Sequence, residues 1–213
     1  MIHYNSADIA NMDRFYRGNL INSVTGFKSA NLLATQSKSG IDNVAIFSSV
    51  THLGSDPAMF TFVQRPLGHG VGHTYENLIA TGQITLNHIH LGLTNKAHQS
   101  SAKYDEDVSE FEQLQMEKEF KKGITAPFVR SAQIQIAASY ENEYYIKENR
   151  CIIVVCRITD VFLADGLQLE DGFVNLEKAG TMAINGLDAY ATTSINDRLS
   201  YAKVDEPLKS ISF

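Results

Sequence analysis

Two long stretches in the second half of the chain decide the fold: Gln133-Ile-Gln-Ile-Ala-Ala-Ser-Tyr-Glu-Asn-Glu-Tyr-Tyr-Ile146 and Cys151-Ile-Ile-Val-Val-Cys-Arg-Ile-Thr-Asp-Val-Phe-Leu163. Both are rich in β-branched and aromatic residues, which favour strands. The few residues between them include Asn149, a typical turn residue. The pattern predicts one extended antiparallel hairpin.

Shorter signals surround this hairpin. Apolar runs that alternate or end at turn residues predict four more strands, over residues 30–36, 43–50, 58–64 and 83–89. Short helices are predicted over 8–16, 74–81, 94–104 and 108–120, the last opened by a capping-box-like pair, Asp107 and Glu110. Residues 20–26 are predicted to be extended, and the last forty residues to be irregular.

These elements predict a mainly β protein with short helices (α+β). Antiparallel connections favour a six-stranded antiparallel Greek-key β-barrel over a sandwich, because closure removes exposed strand edges. A doubly wound sheet is disfavoured, since strands and helices do not alternate regularly. No repeat or Ser/Gly/Pro-rich linker divides the 213 residues, so residues 1–213 are predicted to form one domain.

Composition excludes several classes of protein. The net charge of −6 argues against nucleic acid as a partner, because phosphate-backbone binding relies on clustered Lys and Arg. No apolar run reaches the roughly 20 residues of a membrane span, and the polar first fifteen residues lack a signal-peptide core, so a cytoplasmic protein is expected. Cys151 and Cys156 lie five apart in one strand and face opposite sides of the sheet. We expect both to be buried, inert thiols.

The first polar segment that could bind a ligand is Asn43-Val-Ala-Ile-Phe-Ser-Ser-Val-Thr-His-Leu-Gly-Ser-Asp-Pro57. A strand runs into a loop in which Ser48, Ser49 and Thr51 offer hydroxyl and backbone donors. Such a loop can hold a phosphate or the polar edge of a heterocycle. A solvated hairpin loop is the alternative interpretation.

The second segment is Arg65-Pro-Leu-Gly-His-Gly-Val-Gly-His-Thr-Tyr-Glu-Asn77. Its glycines precede a helix predicted to begin at Thr74, and a helix N-terminus with free N–H groups favours an anion. His73 and Thr74 lie at that end, with Arg65 close in sequence. Thr74 as a plain N-cap is the alternative, and the segment is not a Walker loop.

Two further segments are less specific. His88, His90 and His98 could bind a metal ion, but no third ligand of the right kind lies near the first pair, so no metal site is predicted. The helix over 94–104 could be an ordinary amphipathic helix, or it could present Ser101, Lys103 and Tyr104 to a ligand or a second subunit. No nucleophile–base motif is present, and no catalytic side chain is predicted. Phosphate-binding features without an acid–base set suggest a cofactor that performs its own chemistry.

At these residues the chain resembles the flavin reductase-like family with the split barrel that binds flavin mononucleotide (FMN), the group that includes flavoredoxin-type proteins. Each segment alone is weakly specific, but their order and spacing are specific and span nearly the whole chain. The segments are Phe15 to Gly26, Asn43 to Pro57, His73-Thr-Tyr-Glu-Asn-Leu78, Thr85-Leu-Asn-His88, Ala97 to Tyr104, Ser109-Glu-Phe111, Gly186-Leu-Asp-Ala-Tyr190 and Leu199-Ser-Tyr-Ala202.

The resemblance implies a split barrel that works as a homodimer, with FMN near the subunit interface. It implies that Ser48 to Thr51 and the helix start hold the phosphate and ribityl chain, while backbone groups from Phe47 to Ser49 meet the isoalloxazine ring. The implied cofactor-binding residues are Asn43, Phe47, Ser48, Ser49, Thr51, Arg65, His73, Thr74, Ser101, Lys103 and Tyr104. Residues 68–72 lack the Lys or Arg that often precedes His-Thr in the family. If that residue helps to hold the phosphate, two alternatives follow: FMN binds more loosely here, or Arg65 and Arg17 compensate.

The activity implied is that of an NAD(P)H-dependent flavin reductase or a related electron-transfer flavoprotein. The alternative is a module that binds FMN or a haem-like ligand without turnover. A flavin-dependent oxidase of the pyridoxamine-phosphate type is a third alternative, but it would need more basic residues for a second phosphate than the sequence offers.

Overall fold

The computed structural model describes residues 1–67 and 72–211. Its helices are α1 Ser6–Asn11, α2 Arg14–Val24, α3 His73–Thr81, α4 Thr94–Gln99 and α5 Glu110–Gln113. Its strands are β1 Phe27–Ser29, β2 Asn31–Gln36, β3 Asp42–Phe47, β4 Thr51–Ser55, β5 Ala58–Gln64, β6 Gln83–His88, β7 Lys118–Glu119, β8 Phe128–Val129, β9 Ile134–Ile146, β10 Cys151–Leu163, β11 Met182–Asn185 and β12 Ala189–Thr192.

The two long apolar stretches form the predicted hairpin. β9 and β10 pair antiparallel from Ile146–Cys151 to Ile134–Leu163, with two register shifts along the ladder. In the turn, the Asn149 side chain accepts a hydrogen bond from the Cys151 amide. The prediction from strand propensity and turn chemistry is therefore confirmed.

The main sheet has seven antiparallel strands in the order β3-β2-β6-β9-β10-β5-β4. Its two edge strands, β3 and β4, are consecutive in the chain and are joined by residues 48–50. In a flat sheet, the five strand spacings from β3 to β5 would separate them by about 24 Å. Yet the rings of Phe47 on β3 and Phe62 on β5 are only 5.2 Å apart. The sheet is therefore curled into a barrel that stays open between β3 and β4.

Side chains alternate between the two faces of the curled sheet, as strand geometry requires. The concave side holds the inner cluster, which consists of Leu33, Phe60, Phe62, Leu78, Ile84, Leu86, Ala138, Val154 and Cys156. The outer cluster covers the convex side and includes Leu32, Ala34 and Val44 from the sheet with Ala97 of α4 and Phe111 of α5. Helix α3 packs on β2 and β3 and contributes Leu78 to the inner cluster.

The predicted count of six strands and the closed Greek-key barrel are not what the structure has. The main sheet has seven strands and unpaired edges, and smaller sheets β1-β11-β12 and β7-β8 accompany it. The extra strand β4 was expected to be a polar loop, and it forms because its backbone pairs with β5.

Several helix boundaries also differ from those predicted. Residues 20–24, expected to be extended, belong to α2, and α4 ends at Gln99 instead of residue 104. Helix α5 is only four residues long, because Gln115 turns to a positive φ of 50° and the chain then forms β7. The C-terminal region, expected to be irregular, contains β11 and β12.

The cysteines are both free, but only Cys156 is buried. Burial raises the pKa of the Cys156 thiol to about 12, so this side chain is inert at neutral pH. The expectation that Cys151 is buried was wrong, because this residue opens β10 at the exposed end of the hairpin and is half-buried. Among the described residues, no helix is long and apolar enough to cross a membrane.

Candidate functional site

The starts of β3 and α3 are joined by one buried hydrogen bond. The Asn43 side-chain amide donates to the Thr74 hydroxyl oxygen at 3.1 Å, and both residues are buried. A hydroxyl that accepts this bond still has its own hydrogen to donate. The structure therefore brings together two of the predicted site residues from segments 31 positions apart.

Helix α3 begins without a side-chain cap. Its N-cap residue is Gly72, and among residues 1–67 and 72–211 no side chain caps the first N–H groups, whereas Asn5 and Asp13 cap α1 and α2 with their side chains. Gly72 has a φ of 138°, and a Cβ at this position would lie 2.7 Å from the Leu67 side chain. A glycine is thus required here, and the N–H groups of the first turn remain oriented for an anion.

The first turn of α3 is held by three strands of the sheet. Thr74 bonds to β3 as described, the Tyr75 hydroxyl donates to the Glu143 carboxylate of β9 at 2.8 and 3.0 Å, and Asn77 donates to Thr35 of β2 at 3.3 Å. Burial, followed by the hydrogen bond to Glu143, raises the pKa of Tyr75 to about 12. The helix start is therefore pre-organised before any ligand arrives.

A cavity of about 340 Å³ lies beside this helix start. It is lined by residues of α3, of the β2–β3 turn and of the segment before α5: Ser37, Ser39, Ile41, Asn43, His73, Glu76, Asn77, Glu106, Asp107 and Val108. Three of these side chains are carboxylates, and none of the lining residues is Lys or Arg. The cavity wall thus offers acceptors for hydroxyl groups, whereas the N–H groups of α3 offer donors for an anion.

The predicted hydroxyl loop is shorter than expected. Ser48, Ser49 and Val50 connect β3 to β4, and Thr51 is an exposed residue of β4 opposite Thr61. The Ser49 hydroxyl accepts a hydrogen bond from the Val63 amide at 3.1 Å and ties this connection to β5. Ser48 is half-buried at the end of β3, next to Phe47, whose ring packs edge-on against Phe62.

The remaining predicted site residues lie at the surface or close to it. Arg65 is exposed directly after β5, and residues 68–71 of the glycine-rich stretch lie outside the described residues. Ser101 and Lys103 are exposed and Tyr104 is half-buried, all beyond the end of α4. The guanidinium of Arg17 donates to the backbone oxygens of Ala10 and Met12, and its role as a source of charge for the phosphate stays a prediction.

Sequence reasoning missed Glu110 as part of this region. It was expected to cap a helix with Asp107, but its carboxylate accepts a hydrogen bond from the Val44 amide of β3 at 3.1 Å. The N-cap of α5 is Ser109 instead. Glu110 is 4% exposed, and burial raises the pKa of its carboxyl group. Glu110 lies in an acidic, polar stretch, residues 105–113, and nothing in the sequence distinguishes it from its acidic neighbours as the residue that contacts β3.

The histidines considered for metal binding do not come together in one site. His88 is half-buried and contacts the Thr181 hydroxyl at 3.3 Å, and desolvation lowers its pKa to about 4, while His98 contacts the Tyr190 hydroxyl at 3.1 Å. Within residues 1–67 and 72–211, no group of three or more His, Cys, Asp or Glu side chains could hold a metal ion.

Comparisons with known proteins agree on one fold. The family model "Flavin reductase like domain" matches residues 25–189. A crystal structure assigned as a flavin reductase with a split barrel domain, from Shewanella frigidimarina NCIMB 400, is 37% identical, with a TM-score of 0.90 over 95% of this chain and 100% of that chain. No curated protein matches the sequence.

Two more distant structures share the fold. Nitrilotriacetate monooxygenase component B from Bacillus cereus has a TM-score of 0.82 at 17% identity and covers 93% of this chain and 98% of its own. An FMN-binding protein from Thermus thermophilus has a TM-score of 0.67 at 14% identity and covers 85% of this chain and 93% of its own. At these identities the likeness concerns the fold alone.

Proposed function

The chain belongs to the flavin reductase-like family, and from this premise we propose that it is an FMN-binding NAD(P)H:flavin oxidoreductase. The observation that carries the proposal is the start of α3, where uncapped N–H groups and the Thr74 hydroxyl lie together in a rigid setting. The family model, which matches residues 25–189, supports the choice of a flavin as cofactor.

In this proposal the phosphate of FMN binds at the start of α3. The N–H groups of the first turn and the helix dipole favour an anion there. Thr74 can donate its hydroxyl hydrogen because Asn43 already donates to its oxygen. His73, the first residue of the helix, adds a donor and, when protonated, a positive charge.

The isoalloxazine ring is proposed to lie at the other end of β3. From Asn43 to Phe47 the strand spans four residues, or about 13 Å, so the strand connects the two ends of an elongated ligand. Backbone groups of residues 47–49 are candidates to bond the ring edge, because Ser49 holds this connection against β5. Bound FMN would accept hydride from NADH or NADPH and pass the electrons on, while the protein supplies position and electrostatics.

Arg65, Lys103 and Tyr104 are proposed to complete the site from the surface. The cavity carboxylates Glu76, Glu106 and Asp107 would repel a phosphate placed among them. We therefore place the basic side chains that contact the phosphate on its solvent side, where Arg65 and Lys103 are exposed.

The proposal is tested by titrating the purified protein with FMN. Binding is expected to quench flavin fluorescence and, at 100 times Kd, to raise the free energy of unfolding by about 2.7 kcal/mol, because only the folded state binds. With FMN present, NADH or NADPH should be oxidised, as followed by loss of nicotinamide absorbance.

Each outcome of this titration has a distinct meaning. Unchanged fluorescence and an unchanged melting temperature at millimolar FMN would exclude the proposed cofactor. FMN binding without oxidation of either nicotinamide would instead identify a binding module without turnover. Riboflavin, which has the isoalloxazine ring and the ribityl chain but no phosphate, is the control ligand and should bind more weakly.

We also propose that the protein is a homodimer, as the resemblance implies. The support is α2, which has no buried residue in the single chain and exposes Phe15 (76%) and Val24 (69%), next to the exposed Phe27 of β1. A second subunit would bury these side chains. Sedimentation equilibrium at micromolar concentration is expected to give about twice the 23.6 kDa of one chain. A single 23.6 kDa species would contradict the dimer.

A further inference from the structure

The free edge of β3 carries one unusual contact. Strand β3 pairs with β2 on one side only, so every second backbone amide points away from the sheet. One of these, the Val44 amide, donates to a Glu110 carboxylate oxygen at 3.1 Å. The two residues are 66 positions apart, so the contact joins α5 to an edge strand that would otherwise be free at this point.

Burial of the Glu110 carboxylate is energetically unfavourable. The residue is 4% exposed, and a buried carboxylate without compensation is strongly unfavourable. Lys118 of β7 is bound to Asp42 of β3 at 2.6 Å and lies near Glu112 of α5. Burial raises the pKa of the Glu110 carboxyl group, whereas the hydrogen bonds from the backbone amides of Glu110 and Val44, with a smaller contribution from His73, favour its ionised form.

The contact lies one residue from the candidate site. Val44 directly follows Asn43, whose side chain lies on a face of the strand and bonds to Thr74, whereas the Val44 amide points to the free edge of the sheet. The pair Asn43–Val44 is therefore held at two points, by the start of α3 and by α5. Loss of the Val44–Glu110 hydrogen bond would let the start of β3 fray into water, and the Asn43 side chain would lose its fixed orientation.

We propose that Glu110 is a positioning residue of the flavin site: by holding Val44 at the free edge of β3, it keeps Asn43 bonded to Thr74 at the start of α3. This inference rests on the proposed function, since it assigns Glu110 a part in FMN binding. Glu110 acts through β3 and need not touch the ligand, which distinguishes it from the residues named above.

The test compares Glu110→Ala with Glu110→Gln. Alanine removes the acceptor for the Val44 amide, and FMN affinity is expected to fall about tenfold or more, as for loss of a hydrogen bond to a charged acceptor. Glutamine keeps a carbonyl acceptor at the same place, and it is expected to restore affinity to within about threefold of wild type. Kd is measured by quenching of flavin fluorescence.

Two matched controls separate positioning from general damage. Glu112→Gln changes the same residue type on the same helix, at an exposed side chain, and should leave FMN affinity unchanged. Phe111→Leu loosens the outer cluster beside Glu110 and should lower the melting temperature without weakening FMN binding.

A spectroscopic readout on the protein without flavin completes the design. In wild type, the Val44 amide proton resonance is expected to shift with pH and report a titration above the usual range of a glutamate. The titration should vanish in Glu110→Gln and persist in Glu112→Gln. This difference would show that the Glu110 carboxylate contacts the Val44 amide in solution, while rescue of FMN affinity by glutamine distinguishes positioning from general damage.

The inference is overturned if Glu110→Ala binds FMN like wild type, if Phe111→Leu loses as much affinity, or if the Val44 resonance ignores the substitution. Failure of wild type itself to bind FMN overturns the proposed function and, with it, the role of Glu110. The two failures are distinguishable, because failure of the proposed function is seen in wild type, whereas failure of the inference about Glu110 is seen only in the variants.

Discussion

Replacing Phe62 by alanine is expected to lower the free energy of unfolding by about 3–5 kcal/mol. Phe62 is fully buried in the inner cluster, and its ring meets Phe47 across the split of the barrel at 5.2 Å. The truncation removes apolar contacts and leaves a cavity that the surrounding strands fill only in part. At about 2–4 °C per kcal/mol for a chain of this size, the melting temperature should fall by roughly 10 °C.

Chemical denaturation of three variants checks this expectation. Phe62→Leu keeps most of the apolar volume and should lose clearly less stability than Phe62→Ala. Phe120→Ala, at a half-exposed ring, is the matched control and should be near neutral. A loss below about 1 kcal/mol in Phe62→Ala would show that β3 and β5 do not share one core, and the curled sheet would then be wrong.

The strands of the main sheet could be predicted where their side chains alone specify the strand. Residues 151–163 were predicted with the bounds that the structure has, and β9 and β5 differ by at most one residue. These runs are rich in β-branched and aromatic residues, so local sequence and burial favour the same conformation. The hairpin of β2 and β3 was predicted for the same reason, with its turn at residues 37–40.

Strand β4 could not be predicted, because its sequence Thr-His-Leu-Gly-Ser carries no apolar alternation. It lies at the edge of the sheet, mostly exposed, and its conformation comes from backbone pairing with β5. The same limit applies to α5, where four helical residues end at Gln115 because the chain must turn toward β7. Tertiary context overrides local propensity at both places.

The sequence indicated Asn43, His73 and Thr74 as candidate cofactor-binding residues, and this role stays a prediction. Their contacts could not be predicted, because nothing in the sequence pairs Asn43 with Thr74. Glu110 was assigned to a helix cap, because a capping pattern is local and its true partner, Val44, lies 66 residues away. Such pairs depend on how α3 and α5 pack against β3, and the hydrophobic periodicity of the sequence does not indicate this packing.

The Asn43–Thr74 hydrogen bond leads to the second large effect, the substitution Thr74→Val. Valine keeps the shape of threonine but leaves the buried Asn43 amide without its acceptor, at a cost of about 1–3 kcal/mol. It also removes the hydroxyl proposed to donate to the phosphate, so FMN affinity should fall by about 10- to 100-fold, as for a hydrogen bond to a charged group. Thr81→Val, on the same helix, is the matched control, because its hydroxyl bonds only to the Asn77 carbonyl.

The double variant Asn43→Leu/Thr74→Val separates the two effects of that substitution. When both partners of a buried hydrogen bond become apolar, no polar group remains unsatisfied, and most of the lost stability should return. FMN affinity should not return, because the hydroxyl donor is still missing from the start of α3. If affinity recovered together with stability, Thr74 would matter only for packing, and the phosphate would have to bind elsewhere. Denaturation curves and FMN titrations on wild type, Thr74→Val, Thr81→Val and the double variant decide between these outcomes.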